Sequence, residues 1–292
     1  MHSTATATRR GFRLAMAQMR VEGGRPAANL ARAEACIAEA ARGDAHAVLL
    51  PEALDIGWTH PDARRLAAPI PEGEPCRRLA EAARRHRLHV VAGLTERAGD
   101  RVFNAAVLLG PDGRLLLLHR KLNELEIGHG CYDQGDRLGV VETPLGVIGV
   151  MICADAFAPG QVVSRTLGLM GAEVILSPCA WAVPADHDQA REPYGALWRE
   201  NYGPVARDFR LWIAGVSCVG PIPAGPWAGR KCIGCSLLVG PDGQPRHQAP
   251  YGEAAEVLEV VEVRPIPRPA RGDGWVRLWA GSRRGDAGVN PD

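Results

Sequence analysis

The sequence predicts an α/β fold with helices covering the outer faces of β-sheets, and three observations carry the prediction. Short apolar runs rich in Val, Ile and Leu alternate with segments of helical periodicity. The tetrapeptide Gly-Pro-Asp-Gly occurs at residues 110–113 and again at 240–243, each time between apolar runs. The alternation of strand and helix recurs in both halves, so the two hairpins suggest two similar sheet halves packed face to face.

Residues 12–18 (FRLAMAQ) read as the first strand, followed by a helix from Pro26 to Arg42. Proline suits the first helical turn, and Leu30, Ala33, Ile37 and Ala40 form one apolar stripe. Ala47 to Leu50 is the next strand, and Glu74 to His86 a helix with Cys76, Leu79, Ala80 and Ala83 inward and arginines outward. Leu88 to Leu94 and Val102 to Leu109 read as strands. The turn Gly110-Pro111-Asp112-Gly113 then leads into a strand from Arg114 to His119, proline presetting φ and glycine accepting a positive one. Strands at 138–142 and 147–152 flank a turn at Thr143 to Gly146. A helix from Pro159 to Met170, a strand at Glu173 to Leu176, a helix from Pro193 to Phe209 and a strand at Leu211 to Ser217 follow. A Pro/Gly-rich loop at 220–230 precedes the second Gly-Pro-Asp-Gly hairpin and a last strand ending near Val263. No internal linker interrupts this order, so residues 12–263 form one domain. Residues 1–11 read as a flexible N-terminal tail and 264–292, rich in Arg, Pro and Gly, as an extended C-terminal tail.

Composition narrows the function classes. With 46% hydrophobic and 23% charged residues over 292 positions, the chain can bury a substantial core. A net charge of +1 gives no global attraction to nucleic acid or an anionic membrane. The longest uncharged apolar stretch, Thr143 to Ala154, falls short of the roughly 18–20 residues of a membrane span. Met1 to Gly11 lacks the apolar middle of a secretory signal. Eight cysteines without a disulfide-scaffold spacing are therefore expected as reduced thiols in a cytoplasm.

Three apolar runs end on residues with chemistry. Val48-Leu49-Leu50-Pro51 delivers Glu52, Leu115 to Arg120 delivers Lys121, and Val147 to Ile152 delivers Cys153. Lys121 stands out because only two of the 34 basic residues are lysine. Lysine is a compact ammonium that can sit beside a reacting atom, whereas arginine is a broad planar fork. An acid, an amine and a thiol at the ends of buried strands make a catalytic constellation. Taken singly, Glu52 could be a surface residue at a strand end. The other buried cysteines, Cys36, Cys76, Cys179 and Cys218, read as small core hydrophobes.

The segments LLPEALDIGW, LLLLHRKLNEL and GVIGVMICADAF resemble the Glu–Lys–Cys motifs of the nitrilase superfamily, the carbon–nitrogen hydrolases, in order and in spacing. The resemblance implies a four-layer α-β-β-α sandwich, with Cys153 as nucleophile, Glu52 as general base and Lys121 at the oxyanion. The backbone N–H of Ala154 assists Lys121. No metal or cofactor is required. The expected partner is a small-molecule amide or nitrile. In relatives, C-terminal tails often cross a subunit interface, so a homodimer or higher homo-oligomer is expected. Many relatives carry a second glutamate after the lysine. Glu126 is favoured, because Tyr132-Asp133-Gln134-Gly135-Asp136 resembles the aromatic-x-x-Gly-Asp that follows it, with Glu124 as the alternative. Asp155, Cys179 and Trp181 are expected at the substrate pocket. Asp155, where nitrile-acting relatives carry Glu, favours amides, and the absence of arginine after the nucleophile disfavours N-carbamoyl amino acids. Trp181 fits a substrate contact and a packed indole equally.

Nitrile hydrolysis and acyl transfer to an amine share the same trio and stay open as alternatives. Two readings of another class compete with it. One is a zinc or redox site at Cys232-x-x-Cys235 with His247; the other is a non-catalytic relative that binds a partner.

Overall fold

A computed structural model describes residues 11–267; residues 1–10 and 268–292, which hold most of both expected tails, lie outside the described residues. In chain order the strands are β1 (Phe12–Gln18), β2 (Ala47–Leu49), β3 (His89–Ala98), β4 (Arg101–Leu109), β5 (Leu115–Arg120), β6 (Val140–Thr143), β7 (Gly146–Val150) and β8 (Val174–Cys179). They continue as β9 (Ala182–Val183), β10 (Trp212–Ser217), β11 (Val219–Pro221), β12 (Lys231–Ile233), β13 (Leu237–Val239), β14 (Pro245–Gln248) and β15 (Val257–Val263). The helices are α1 (Pro26–Arg42), α2 (Ala63–Leu66), α3 (Glu74–His86), α4 (Val162–Leu169) and α5 (Ala196–Phe209).

The two large sheets repeat one plan. The first runs β15-β1-β2-β3-β4-β5 and the second, read in the same sense, β6-β7-β8-β10-β13-β14. In each, one antiparallel edge strand precedes three parallel strands and an antiparallel hairpin closes the other edge. That closing hairpin is the Gly-Pro-Asp-Gly one both times, and in both the register shifts just before the turn. Gly113 and Gly243 take φ of +82° and +80° there, a region open to glycine at little cost. Each lies against a helix backbone as well. A Cβ on Gly113 would stand 2.8 Å from the Ala80 carbonyl of α3, and one on Gly243 2.6 Å from the Gly203 carbonyl of α5. Of the residues expected inward on α3, Ala80 is only partly buried, and Ala82 joins Cys76, Leu79 and Ala83 in the core.

Alternating side chains of the sheets meet in one inter-sheet core, Leu14, Met16, Leu49 and Val91 from one side and Ile148, Val150, Val174 and Leu176 from the other. The opposite face of the first sheet packs Ala15, Val48 and Val90 on α1 and α3. On the second sheet α4 and α5 take the equivalent place, with Leu167, Val205 and Ala206 inward. The result is the expected four-layer α-β-β-α sandwich. No helix among the described residues is long and apolar enough to cross a membrane.

Two boundaries differ from expectation for visible reasons. The helix expected from Pro159 starts at Val162, because Gly160 and Gln161 take φ of +67° and +52° and break it. Strand β3 runs on to Ala98 because its polar end is held: Glu96, buried, makes a two-pronged ion pair with Arg120 of β5 at 2.7 Å on both oxygens.

The parallel strands aim their C-terminal ends at one side of the molecule, where Glu52 follows β2 and Cys153 follows β7. Gly93 in β3 makes room for the first of these. Its N–H donates to the Pro51 carbonyl and its carbonyl accepts from Leu54. A Cβ at Gly93 would lie 2.5 Å from the Glu52 Cα and 2.7 Å from the Ala53 nitrogen, both backbone. Gly93→Ala should therefore destabilise the protein by about 1–3 kcal/mol, the range for overpacking a core. It should also lower activity by displacing Glu52, as thermal unfolding and turnover of the variant would show.

Candidate active site

Three separate segments deliver the sequence-predicted trio to one buried place. Glu52 is 1% exposed, Lys121 2% and Cys153 9%. The Lys121 ammonium donates to Glu52 Oε1 at 2.8 Å and to Glu124 Oε1 at 2.9 Å. Asn104 Nδ2, on the neighbouring strand β4, bridges the same two carboxylates, at 2.7 Å to Glu52 Oε1 and 2.9 Å to Glu124 Oε2. The Trp58 indole N–H reaches Glu124 Oε1 at 3.3 Å, and the ammonium lies 5.4 Å from the Trp58 ring centroid. Glu52 Oε2 is buried and has no partner.

The second glutamate beside the lysine is thus Glu124, and the preference for Glu126 is corrected. Glu124 lies three residues after Lys121 and turns back onto it, whereas Glu126 is exposed on the 3-10 turn Glu126–Gly128. The motif used to choose it serves the backbone instead. Gly135 N–H donates to the Lys121 carbonyl at 2.9 Å, and the Tyr132 hydroxyl accepts from the Thr59 N–H at 3.2 Å.

Cys153 opens a short 3-10 segment, Cys153–Phe157, with φ of +43°. For a side chain larger than glycine this is a strained conformation, of a kind that clusters at functional sites. Its N–H donates to Ser177 Oγ at 3.1 Å. Cys179 is fully buried beside it, its thiol donating to the Ser177 carbonyl at 3.2 Å. The Cys179 carbonyl accepts from both the Glu52 and the Cys218 backbone N–H, at 3.2 and 3.3 Å, so the first sheet is tied to the second at the site itself.

Two residues expected to line the pocket do something else. Asp155 is fully buried, and both its oxygens are taken up by backbone N–H groups and by His119. Trp181, 1% exposed, is a packed indole: it stacks on Trp198 with ring centroids 4.3 Å apart, beside Tyr194. Ala154 stays in the first turn after Cys153, and Asn123 Nδ2 donates to its carbonyl at 2.6 Å. Asn104, Trp58 and His119 were not singled out from the sequence. A lone polar residue inside the run RVFNAAVLL or LLLLHR was the available signal for two of them.

Burial governs the titration of the site. It pushes Glu52 above the ordinary carboxylate range, and the nearby Glu124 adds to this against the pull of Lys121. Burial opposes the charge on Lys121 too, but the two carboxylates outweigh it and hold the ammonium charged. Burial, the Cys179 thiol and Glu52 raise Cys153 well above a free thiol, more than Lys121 lowers it. The resting site therefore holds a neutral thiol.

The rival thiol site does not assemble. Cys232 approaches Cys218 rather than Cys235, and His247 is paired with Glu259 at 2.7 Å. Among the described residues, no group of three or more His, Cys, Asp or Glu side chains could hold a metal ion.

A family model described as carbon–nitrogen hydrolase matches residues 13–263. A nitrilase of Pyrococcus abyssi is 33% identical over 256 residues, 86% of this chain and 89% of that protein. An (R)-stereoselective amidase of a Pseudomonas species is 28% identical over 250 residues, 85% of each chain. Among solved structures, an amidase of the nitrilase superfamily from Nesterenkonia AN1 superposes with a TM-score of 0.73 at 21% identity, covering 94% of this chain and 99% of that one. Nit3 of Saccharomyces cerevisiae gives 0.75 at 20% identity, covering 99% and 98%. With a family model spanning the whole two-sheet body, the chain belongs to the nitrilase superfamily and is a carbon–nitrogen hydrolase.

Proposed function

We propose that the protein hydrolyses a small amide through a thioester on Cys153, releasing ammonia or an amine. The observation that carries this reading is the division of labour on Glu52. One carboxylate oxygen is held by Lys121 and Asn104, while the other is buried, unpartnered and free to take a proton.

In the proposed reaction Glu52 takes the thiol proton as the Cys153 sulfur attacks the carbonyl carbon. Two of the three ammonium hydrogens of Lys121 are committed to Glu52 and Glu124. The third is left for the oxyanion, together with the Ala154 N–H. Collapse of the tetrahedral adduct breaks the carbon–nitrogen bond, and Glu52 returns its proton to the leaving nitrogen. Glu52 then deprotonates water, which attacks the thioester, and the thiolate leaves and is reprotonated. Every proton moves through Glu52, and the cycle uses no cofactor. The similarity to a stereoselective amidase and to a Nesterenkonia amidase supports an amide substrate. Exposed apolar side chains on the second helix layer, Val162 and Leu169 of α4 and Leu197 of α5, support a homo-oligomer assembled through that layer.

Cys153→Ala should abolish amide hydrolysis with an unchanged circular dichroism spectrum, and a mass spectrum of the wild type should show the acyl adduct on Cys153. Turnover of nitriles but not amides would overturn the amide reading. Lys121→Arg should fail nearly as badly as Lys121→Ala, by about 10²–10³ in rate, since the wide guanidinium cannot fill the place of a compact oxyanion donor. Full activity in Lys121→Arg would remove the ammonium from the mechanism.

The two glutamates should separate cleanly. Glu124→Gln takes away one of the two charges that anchor Lys121, so activity should fall by about tenfold or more, whereas Glu126→Gln should stay within about twofold of wild type. Equal losses would return Glu126 to the site.

Glu52 must be ionised to act as base, and its pKa is raised. Activity should therefore fall, as pH decreases, at a higher pH than the roughly 4.3 of an ordinary glutamate. An acid limb of kcat/KM at that ordinary value would show that Glu52 is not the group titrating.

A further inference from the structure

We infer that His119 and Asp155 form a positioning clamp that holds the lysine-bearing strand end against the nucleophile turn. The inference rests on the amidase reading for its functional meaning, but the clamp itself is visible in the hydrogen bonds. Asp155 Oδ1 accepts from the backbone N–H groups of Leu122 and Asn123, at 3.0 and 2.8 Å. Oδ2 accepts from the Ile152 N–H at 2.9 Å and faces His119 Nε2 at 2.7 Å. The two residues pinned on one oxygen directly follow Lys121, and the one pinned on the other directly precedes Cys153. A further bond, from Asn123 Nδ2 to the Ala154 carbonyl at 2.6 Å, closes the same seam.

Burial fixes how the pair is arranged. The His119 and Asp155 side chains are 1% and 0% exposed. His119 Nδ1 is buried with no partner, so a proton there would be an unsatisfied buried donor. Nε2, which faces Asp155 Oδ2, is thus the ring nitrogen that donates to it. Burial opposes the Asp155 charge, but the His119 hydrogen bond and the backbone N–H groups hold it below the usual carboxylate range. With both oxygens engaged, Asp155 has no free lone pair aimed at a substrate. It acts through what it joins. In the proposed mechanism the oxyanion is met by Lys121 and by the Ala154 N–H, and these lie on the two segments that Asp155 holds together.

Three variants and three readouts test the clamp. Asp155→Asn puts an N–H₂ group against backbone N–H groups or His119 and should open the seam. His119→Leu removes the donor, whereas His119→Gln can present an amide N–H₂ near the position of Nε2. Turnover should drop about 10²-fold in Asp155→Asn, mainly in kcat, because the cost is a misaligned oxyanion site. His119→Leu should drop by about tenfold or more and His119→Gln should stay within about fivefold of wild type. Alkylation of Cys153 by iodoacetamide, a displacement that forms no oxyanion, should stay within about threefold in all three. Unchanged turnover in His119→Leu would overturn the clamp, as would a loss of alkylation parallel to the loss of turnover. The His119 pair decides the matter if Asp155→Asn does not fold. Hydrogen exchange at the Leu122, Asn123 and Ile152 amides, expected to quicken in His119→Leu, needs no substrate. If wild type hydrolysed no amide, the amidase reading would fall, while unchanged exchange would overturn the clamp whatever the substrate.

Discussion

One ammonium buried between two carboxylates is the constraint on which the site depends. Lys121, Glu52 and Glu124 are all but removed from solvent, and two carboxylates against one ammonium leave the cluster formally one charge negative while Glu52 is ionised. Removing such charges from water costs several kcal/mol per ion unless hydrogen bonds compensate. The compensation is specific: Asn104 spans both carboxylates and Trp58 donates to one of them. What this arrangement fixes is geometry. An ammonium with two hydrogens committed has one direction left, and a carboxylate with one oxygen committed has one left to react. The packing of β4, the turn after β5 and the Gly93 gap under Glu52 all serve to hold that cluster.

The site also depends on both halves of the molecule. Glu52 and Lys121 come from the first sheet and Cys153 from the second, so neither half carries the constellation alone. Two seams bring them together. One is the Cys179 carbonyl, which accepts from Glu52 across the sheets. The other is Asp155, which accepts from the segment after β5. The repeated strand plan explains how such a site arises. Stacking two similar sheets places the C-terminal ends of two sets of parallel strands at one side, where loops can meet. The site in this chain exists only where the two sheets are packed together, so damage to the inter-sheet core should appear as lost activity before it appears as lost secondary structure.

Much of this was legible because its physics is local. Apolar period marked the strands, proline and glycine marked both hairpins, and a lysine kept in an arginine-rich chain marked Lys121. The rest depended on the direction of a side chain after a turn, which no period reports. Glu124 and Glu126 differ by two positions, yet one turns back onto the ammonium and the other rides out on a 3-10 turn. Asp155 follows Cys153 so closely that a pocket role was natural, but the positive φ at Cys153 turns the chain so that the carboxylate faces inward, toward β5. Asn104 was readable in principle. A single amide inside an apolar strand needs a polar partner when buried, and the charged cluster supplied it.

Burial gives the candidate nucleophile its last property. A thiol near an ammonium is commonly pictured as a standing thiolate, but here desolvation and Glu52 raise Cys153 more than Lys121 lowers it. In the proposed mechanism the sulfur is nucleophilic only while Glu52 holds its proton, and that transfer is favourable only when a carbonyl stands ready to receive the charge. Lys121, already balanced by two carboxylates, has little attraction left for a thiolate at rest but can still donate to an oxyanion placed along its free hydrogen. The same burial that suppresses the resting thiolate strengthens every hydrogen bond the transition state would make. On that proposal reactivity is tied to the presence of substrate, and a site built this way needs its donors fixed before the substrate arrives.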